Sequence, residues 1–98
     1  MRELVNELKK IGFRRQNVKL VRLKTSELLV VQLHGTEEML FQAKPLLVAF
    51  ELKSGYFGTP DKLHLAIPES KNMQTQQKAR FDKFVNALKT SLKIKESR

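Results

Sequence analysis

Cysteine and tryptophan are missing from this chain of 98 residues, and tyrosine occurs only once. The lack of cysteine excludes disulfide bonds and thiolate metal sites, and it agrees with a reducing compartment. No apolar run approaches the roughly 20 residues that span a bilayer, and the N-terminus lacks the apolar stretch of a secretory signal. We therefore expect one soluble, cytoplasmic domain over residues 1–98, with room for a modest core.

The shortage of aromatic residues and glycine restricts the chemistry further. Six phenylalanines, several at core-like positions, and one tyrosine offer few stacking platforms for single-stranded bases. None of the four glycines belongs to a GxGxxG or Walker pattern, so side chains or helix N-termini would have to bind any phosphate. With no cysteine, no nucleophile elbow and serines only in predicted turns or at helix ends, nucleophilic catalysis has little support.

Positive charge is what the sequence has in excess. Nineteen Lys and Arg against ten Asp and Glu give a formal net charge of +9. Such a field attracts polyanions, although solubility alone, an acidic protein partner or a membrane surface would also account for it. We expect the partner to be nucleic acid, either DNA or RNA.

Hydrophobic periodicity predicts an α+β fold. An apolar stripe at helical spacing, Leu4, Val5, Leu8 and Ile11, predicts an N-terminal helix that ends at Gly12. Strand-like runs cover residues 18–24, 28–34, 46–53 and 62–67, and a long C-terminal helix covers residues 72–92. The prediction is an N-terminal helix, an antiparallel or mixed sheet of about four strands and a long C-terminal helix.

Two segments are less defined. Residues 36–44 fit a helix or a strand, and we favour one or two helical turns that Thr36 caps and Pro45 ends. Residues 54–61 are dense in turn residues, and the tail from Ile94 to Arg98 is expected to fray. The run over residues 28–31 is apolar on both faces, as in a central strand covered on both sides.

His34 and His64 are the only histidines, and each falls on a predicted strand. Adjacent strands could bring the two imidazoles together with Glu37 or Glu38 to form a metal site, but the spacing matches no known pattern. We favour ordinary polar residues at strand edges.

An acid and a lysine two positions apart, Glu51 and Lys53, form the one pattern with chemical content. On the predicted strand that contains them, both point to the same side. A second acid would complete a site for Mg²⁺, which binds carboxylates, water and substrate phosphate. Glu27, at the head of the preceding apolar strand, is the natural second ligand, and Glu37 and Glu38 are the fallbacks. Lys53 would then orient or activate the attacking water.

Two short strings contain these acids, SELLVV over residues 26–31 and FELKSG over residues 50–55. Together they resemble the core of the PD-(D/E)XK nuclease superfamily, which includes archaeal Holliday-junction resolvases and small virus-type repair nucleases. In outline the resemblance covers most of the chain. It extends to a leading helix that carries Glu3 or Glu7 and ends in Gly-Phe, and to a Gln-bearing helix after the lysine strand.

The resemblance implies that Glu27 and Glu51 hold the metal and that Lys53 serves the attacking water. One of three glutamines would support the site: Gln74, Gln76 or Gln77. The sequence departs from the superfamily where Ser-Glu replaces Pro-Asp, where the strand over residues 62–67 intervenes, and where no strand is predicted after the last helix.

The positive residues fall into two groups that could contact phosphates. The first follows the N-terminal helix and continues along the predicted hairpin: Arg14, Arg15, Lys19, Arg22 and Lys24. The second lies near one meridian of the C-terminal helix: Lys71, Lys78, Lys89 and Lys93. The leading hypothesis is a small nucleic-acid-associated protein that contacts the phosphate backbone, with no catalysis of its own and no cofactor.

Two other hypotheses stay open. One is a Mg²⁺-dependent endonuclease acting on DNA through Glu51 and Lys53. The other is a regulatory module that binds an acidic protein or pairs as a homodimer through an exposed strand edge.

Overall fold

The structure is a computed structural model, and it describes residues 1–58 and 62–97. Its helices and strands follow in the order α1 (Arg2–Ile11), β1 (Val18–Arg22), β2 (Leu29–His34), α2 (Glu37–Ala49), β3 (Gly55–Phe57), β4 (His64–Pro68), α3 (Thr75–Ser91) and β5 (Glu96–Ser97). One turn of 3-10 helix, Arg15–Asn17, leads into β1. This order confirms the predicted α+β class and adds a fifth strand, β5, at the end.

The strands of the described chain form one mixed sheet in the order β3-β4-β2-β1-β5. The central strand β2 pairs antiparallel with β1 and β4, β3 pairs antiparallel with β4, and β5 runs parallel to β1. The predicted hairpin of the first two strands is confirmed, with Leu20 opposite Val31. Both edge strands are short, three residues in β3 and two in β5, which leaves few backbone groups for another chain to pair with.

Helices cover only one face of this sheet. The inward side chains of β1, β2 and β4 are buried: Val18, Leu20, Leu29, Val31, Leu33, Leu65 and Ile67. They form one core with the apolar stripes of α1, α2 and α3. The outward residues of β2, Val30, Gln32 and His34, are only half-buried. The prediction that β2 is covered on both faces is therefore wrong, since it is central within the sheet but not enclosed between two layers.

The helix α1 ends as the sequence predicts. Gly12 has a φ of 129°, and its N–H donates to the carbonyls of Leu8 and Lys9. Glycine adopts such a backbone conformation at little cost. The turn directs Phe13 back into the core, where it is fully buried.

The helix α3 also agrees with its prediction apart from its first residues. Its buried stripe consists of Phe81, Phe84, Val85 and Leu88, whereas Met73 precedes the helix and is only partly buried. With 17 residues α3 is the longest described helix. Neither it nor another described helix is long and apolar enough to cross a membrane.

The ambiguous segment is a helix, but a longer one than predicted. Thr36 caps α2 by accepting a hydrogen bond from the Met39 N–H, and the helix continues through Pro45 to Ala49. Proline removes one helical hydrogen bond, yet Pro45 is exposed, so water can satisfy the carbonyl that loses its partner. Burial of Leu40, Ala43 and Leu47 at helical spacing offsets this cost.

The strand predicted over residues 46–53 is wrong. Its first half is the last turn of α2, and its second half is the connection to β3. Leu47 is fully buried while Val48 is 64% exposed, so burial follows the phase of a helix and the buried residues continue the stripe of α2. The local alternation of apolar residues was compatible with both periods.

Two segments are more regular than predicted. The tail does not fray as expected, because Ile94 is buried in the core and Glu96–Ser97 pairs with β1. The predicted turn over residues 54–61 contains the short strand β3. Residues 59–61 of that turn and Arg98 at the terminus lie outside the described residues.

Because only one face of the sheet is covered, substitutions at two neighbouring positions of β1 should differ in their effect on the free energy of unfolding. Leu20→Ala removes a fully buried side chain and should lower the free energy of unfolding by about 2–5 kcal/mol. Lys19→Ala, on the exposed face, should change it by no more than about 0.5 kcal/mol. Urea denaturation measures both, and equal losses would contradict a sheet with one covered face.

Candidate nucleic-acid interface

The uncovered side of the sheet, called the open face below, carries the outward side chains of β1–β4. They are Lys19, Val21, Val30, Gln32, His34, Gly55, Phe57, His64, Ala66 and Pro68. None of these described strand residues is acidic. The positive charge of Lys19 therefore lies beside several rings, on a surface whose strands carry no carboxylate to neutralise it.

Three rings form a row across the open face, called the ring row below. The registers place His34 opposite His64, and His64 opposite Phe57. The two imidazoles are stacked, with centroids 5.0 Å apart and planes at 25°. Phe57 continues the row at 6.3 Å from His64 with a tilt of 31°. The row thus spans β2, β4 and β3.

Neighbouring groups fix the inner end of the ring row. The Nε2 atom of His34 lies 3.1 Å from the amide oxygen of Gln32, and Asn17 donates to the His34 carbonyl at 2.9 Å. Burial lowers the pKa of His34, and the nearby His64 and Lys19 lower it further. His34 is therefore an uncharged ring at neutral pH.

A shallow cavity of about 700 Å³ adjoins the ring row at His34. Lys19 and Lys62 line it, and neither forms a salt bridge with a carboxylate of the described chain. Among the described residues of its wall, Glu37 in the first turn of α2 is the one acid. Two ammonium groups against one carboxylate make this end of the open face attractive to an anion.

The predicted binding residues of the first group separate into two roles. Arg14 donates to the carbonyls of Lys9 and Phe13, so its guanidinium completes the end of α1. Arg15, Lys19 and Lys24 are exposed and form no salt bridge with a described acid. These three retain their charge for a partner.

Three of the other predicted binding residues are engaged in ion pairs on the helical side. Arg22 binds Glu96 through two nitrogens, at 3.0 and 2.8 Å, and Lys89 contacts the same carboxylate at 3.0 Å. The ammonium of Lys78 contacts two further acids, Glu69 and Asp82. Of the predicted lysine row only Lys71 and Lys93 lack such contacts among the described residues, so the structure does not form a continuous positive stripe along α3.

The residues predicted for a nuclease are brought together only in part. Glu51, Lys53 and Gln77 line one cavity of about 320 Å³, but Glu27 is not part of its wall. Glu51 does not lie on a strand: it has a φ of 59° in the turn after α2, and its carboxylate pairs with Arg80 at 3.2 Å.

Glu27 likewise does not stand at the head of a strand. It has a φ of 59°, its N–H donates to Leu23, and its carbonyl accepts a bond from Arg22. Its backbone therefore closes the turn between β1 and β2.

The two histidines meet, but not in the arrangement of a metal site. Nitrogen lone pairs lie in the plane of an imidazole, so stacked rings direct them along nearly parallel planes and not towards one ion. Among residues 1–58 and 62–97 no group of three or more His, Asp or Glu could hold a metal ion. Gln74 and Gln76 do not line the cavity that contains Gln77.

Sequence reasoning missed the ring row. Counting only Phe, Tyr and Trp as stacking residues left His34 and His64 out, although imidazole also stacks on bases. Phe57 was assigned to a turn. Recognition of β3 as a strand in register with β4 would have been the signal, since it places Phe57 beside His64.

Comparison with protein-family models, with curated proteins and with solved structures finds no match to this chain in any of the three.

The ion pairs of Glu96 predict a specific acid response. Its hydrogen bonds with Arg22 and then Lys89 lower the pKa of Glu96 from 4.5 to about 2. When folding lowers the pKa of a carboxylate, the charged group stabilises the fold fully at a pH above its pKa in the unfolded chain. This contribution is lost as the pH falls through its pKa in the folded protein. Glu96→Gln should therefore cost about 1 kcal/mol at neutral pH, since the pair is partly open to water.

The difference in unfolding free energy between wild type and Glu96→Gln should shrink as the pH falls from 4.5 towards about 2. Urea denaturation across this window measures it. A difference that stays constant with pH would show that the carboxylate charge does not fasten β5 to the sheet.

Proposed function

We propose that the protein binds nucleic acid through the open face, by contacts to the phosphate backbone and without catalysis of its own. The observation that carries this proposal is the distribution of charge around the sheet. Lys19 and Lys62 flank the ring row without salt bridges to described acids, on a face whose strand residues include no carboxylate.

The helical side differs from the open face in this respect. There three of the cations that the sequence predicts for phosphate binding, Arg22, Lys78 and Lys89, meet acids of the same chain, whereas Lys71 and Lys93 form no salt bridge with a described acid. A cation that already pairs with a carboxylate gains less from a phosphate, because it must first give up that partner. We therefore place the polyanion on the open face, with Arg15 and Lys24 as further contacts at its margins.

Binding of this kind releases counterions, so the logarithm of the affinity falls with the logarithm of salt concentration by about 0.9 per neutralised phosphate on duplex DNA. Lys19→Gln should weaken binding of a labelled DNA and reduce this slope by about one. The matched control is Lys83→Gln, because Lys83 is exposed on α3 and forms no salt bridge with a described acid. Fluorescence anisotropy over a salt series gives both slopes.

A slope that is flat for the wild type would contradict phosphate binding altogether, and it would favour the hypothesis of an acidic protein partner. If Lys19→Gln and Lys83→Gln reduce the slope of affinity against salt concentration equally, phosphate binding is not specific to the open face. Only a selective loss at Lys19 supports the open face.

A metal-dependent nuclease is the second candidate function. The observation in its favour is the cavity shared by Glu51, Lys53 and Gln77; the pairing of Glu51 with Arg80 opposes it, since a bound cation would have to displace the guanidinium. If this candidate is correct, branched, nicked or linear DNA should be cleaved with Mg²⁺ or Mn²⁺, and Glu51→Ala and Lys53→Ala should each abolish cleavage. Unchanged cleavage in both variants would trace the activity to a contaminant.

A further inference from the structure

The ring row ends in an aromatic surface that the described chain leaves open. Phe57 lies on β3, which is an edge strand, so no described strand lies beyond it. Its side chain is 54% exposed, although one side of the ring faces His64. Leu23, Phe41 and Val48 are exposed to a similar degree, and Phe57 differs from them because it adjoins the stacked histidines on the open face.

A glycine leaves space for this exposed ring on its own strand. A Cβ atom on Gly55 would lie 3.2 Å from Cε2 of Phe57, closer than ordinary van der Waals contact. The absence of a side chain at Gly55 thus lets the ring lie close to its own strand. Phe57 therefore lies between Gly55 and His64 in the structure without a partner.

Among the bases of a nucleic acid, an unpaired base stacks most readily on such a surface. In a duplex the bases stack on one another at 3.4 Å per step, and proteins contact their edges through the grooves. Bases of a single strand expose their faces, and these faces stack on Phe, Tyr, Trp or His rings with little dependence on sequence. The ring row and the lysines beside it thus combine the two elements of single-strand binding, a stacking platform and a positive surface.

We propose, on the basis of the proposed function, that the ligand is a single-stranded nucleic acid. One of its unpaired bases stacks on the outer side of Phe57 and extends the ring row. Lys19 and Lys62 contact its phosphates. The charge of the face identifies a polyanion as the occupant, and the rings identify a polyanion with exposed bases.

The natural absence of tryptophan allows a direct test of stacking. Phe57→Trp introduces a single indole at the end of the ring row, and a single-stranded oligodeoxythymidylate should quench its fluorescence. Phe41→Trp is the matched control, because Phe41 is 57% exposed on α2 and its ring contacts Tyr56, whose side chain lies on the helical side of the sheet with Leu65. Quenching at position 57 and not at position 41 supports the proposal, whereas no quenching at 57 while the oligonucleotide is bound overturns it.

A second pair of variants tests the same contact without adding a larger ring. Phe57→Leu keeps an apolar side chain but removes the aromatic face, and it should weaken single-strand binding at least about five-fold, the lower end of a base-stacking contribution. Phe41→Leu should leave the affinity unchanged. Circular dichroism confirms that each variant is folded.

Single strands and duplexes of the same sequence separate this proposal from the proposed function. Tighter binding of the single strand, lost selectively in Phe57→Leu, supports the proposal. Equal affinity for both forms, weakened by Lys19→Gln but not by Phe57→Leu, overturns the stacking proposal while phosphate binding stands. Failure to bind either form at low salt overturns both.

Discussion

The register of β2 is the constraint on which the rest of this structure depends. Its alternating residues divide between the two faces, with Leu29, Val31 and Leu33 in the core and Val30, Gln32 and His34 on the open face. A shift of one residue would exchange these two sets, and it would expose leucine while burying histidine. The same register sets His34 opposite His64, so the packing of the core and the formation of the ring row are consequences of one strand alignment.

Charge is divided between the two sides of the sheet in a related way. On the helical side, acids serve the fold: Glu69 accepts the Leu29 N–H and pairs with Lys78, and Glu96 joins β5 to Arg22 and Lys89. The ion pairs among these contacts compensate positive charge locally on the helical side. Cations without a described salt bridge occur on both sides of the sheet, and Lys19 and Lys62 beside the ring row are among them.

Much of the fold could be predicted from the sequence, because periodicity is a local signal. The stripe of α1, the hairpin of β1 and β2, and the buried face of α3 follow from spacing alone. The segment around Pro45 could not be predicted, since its apolar residues fit both periods and only burial of Leu40, Ala43 and Leu47 by other elements decides for a helix. The candidate site was harder to predict than the fold because the ring row joins three strands. Local sequence patterns do not reveal which distant residues pair across strands. Lys19 could be identified as a candidate by its charge. The strand register is needed to show that His34, His64 and Phe57 lie next to one another.

The central claim is that the open face contacts nucleic acid, and the two histidines offer the most direct measurement of it. The chain has only two histidines, and both lie on the open face, so the Hε1 protons of their rings give two NMR signals from this surface alone. Titration with a single-stranded oligonucleotide should shift both signals in proportion to the fraction bound. A complex that forms while both ring signals stay at their free positions would contradict the account and place the nucleic acid elsewhere on the molecule.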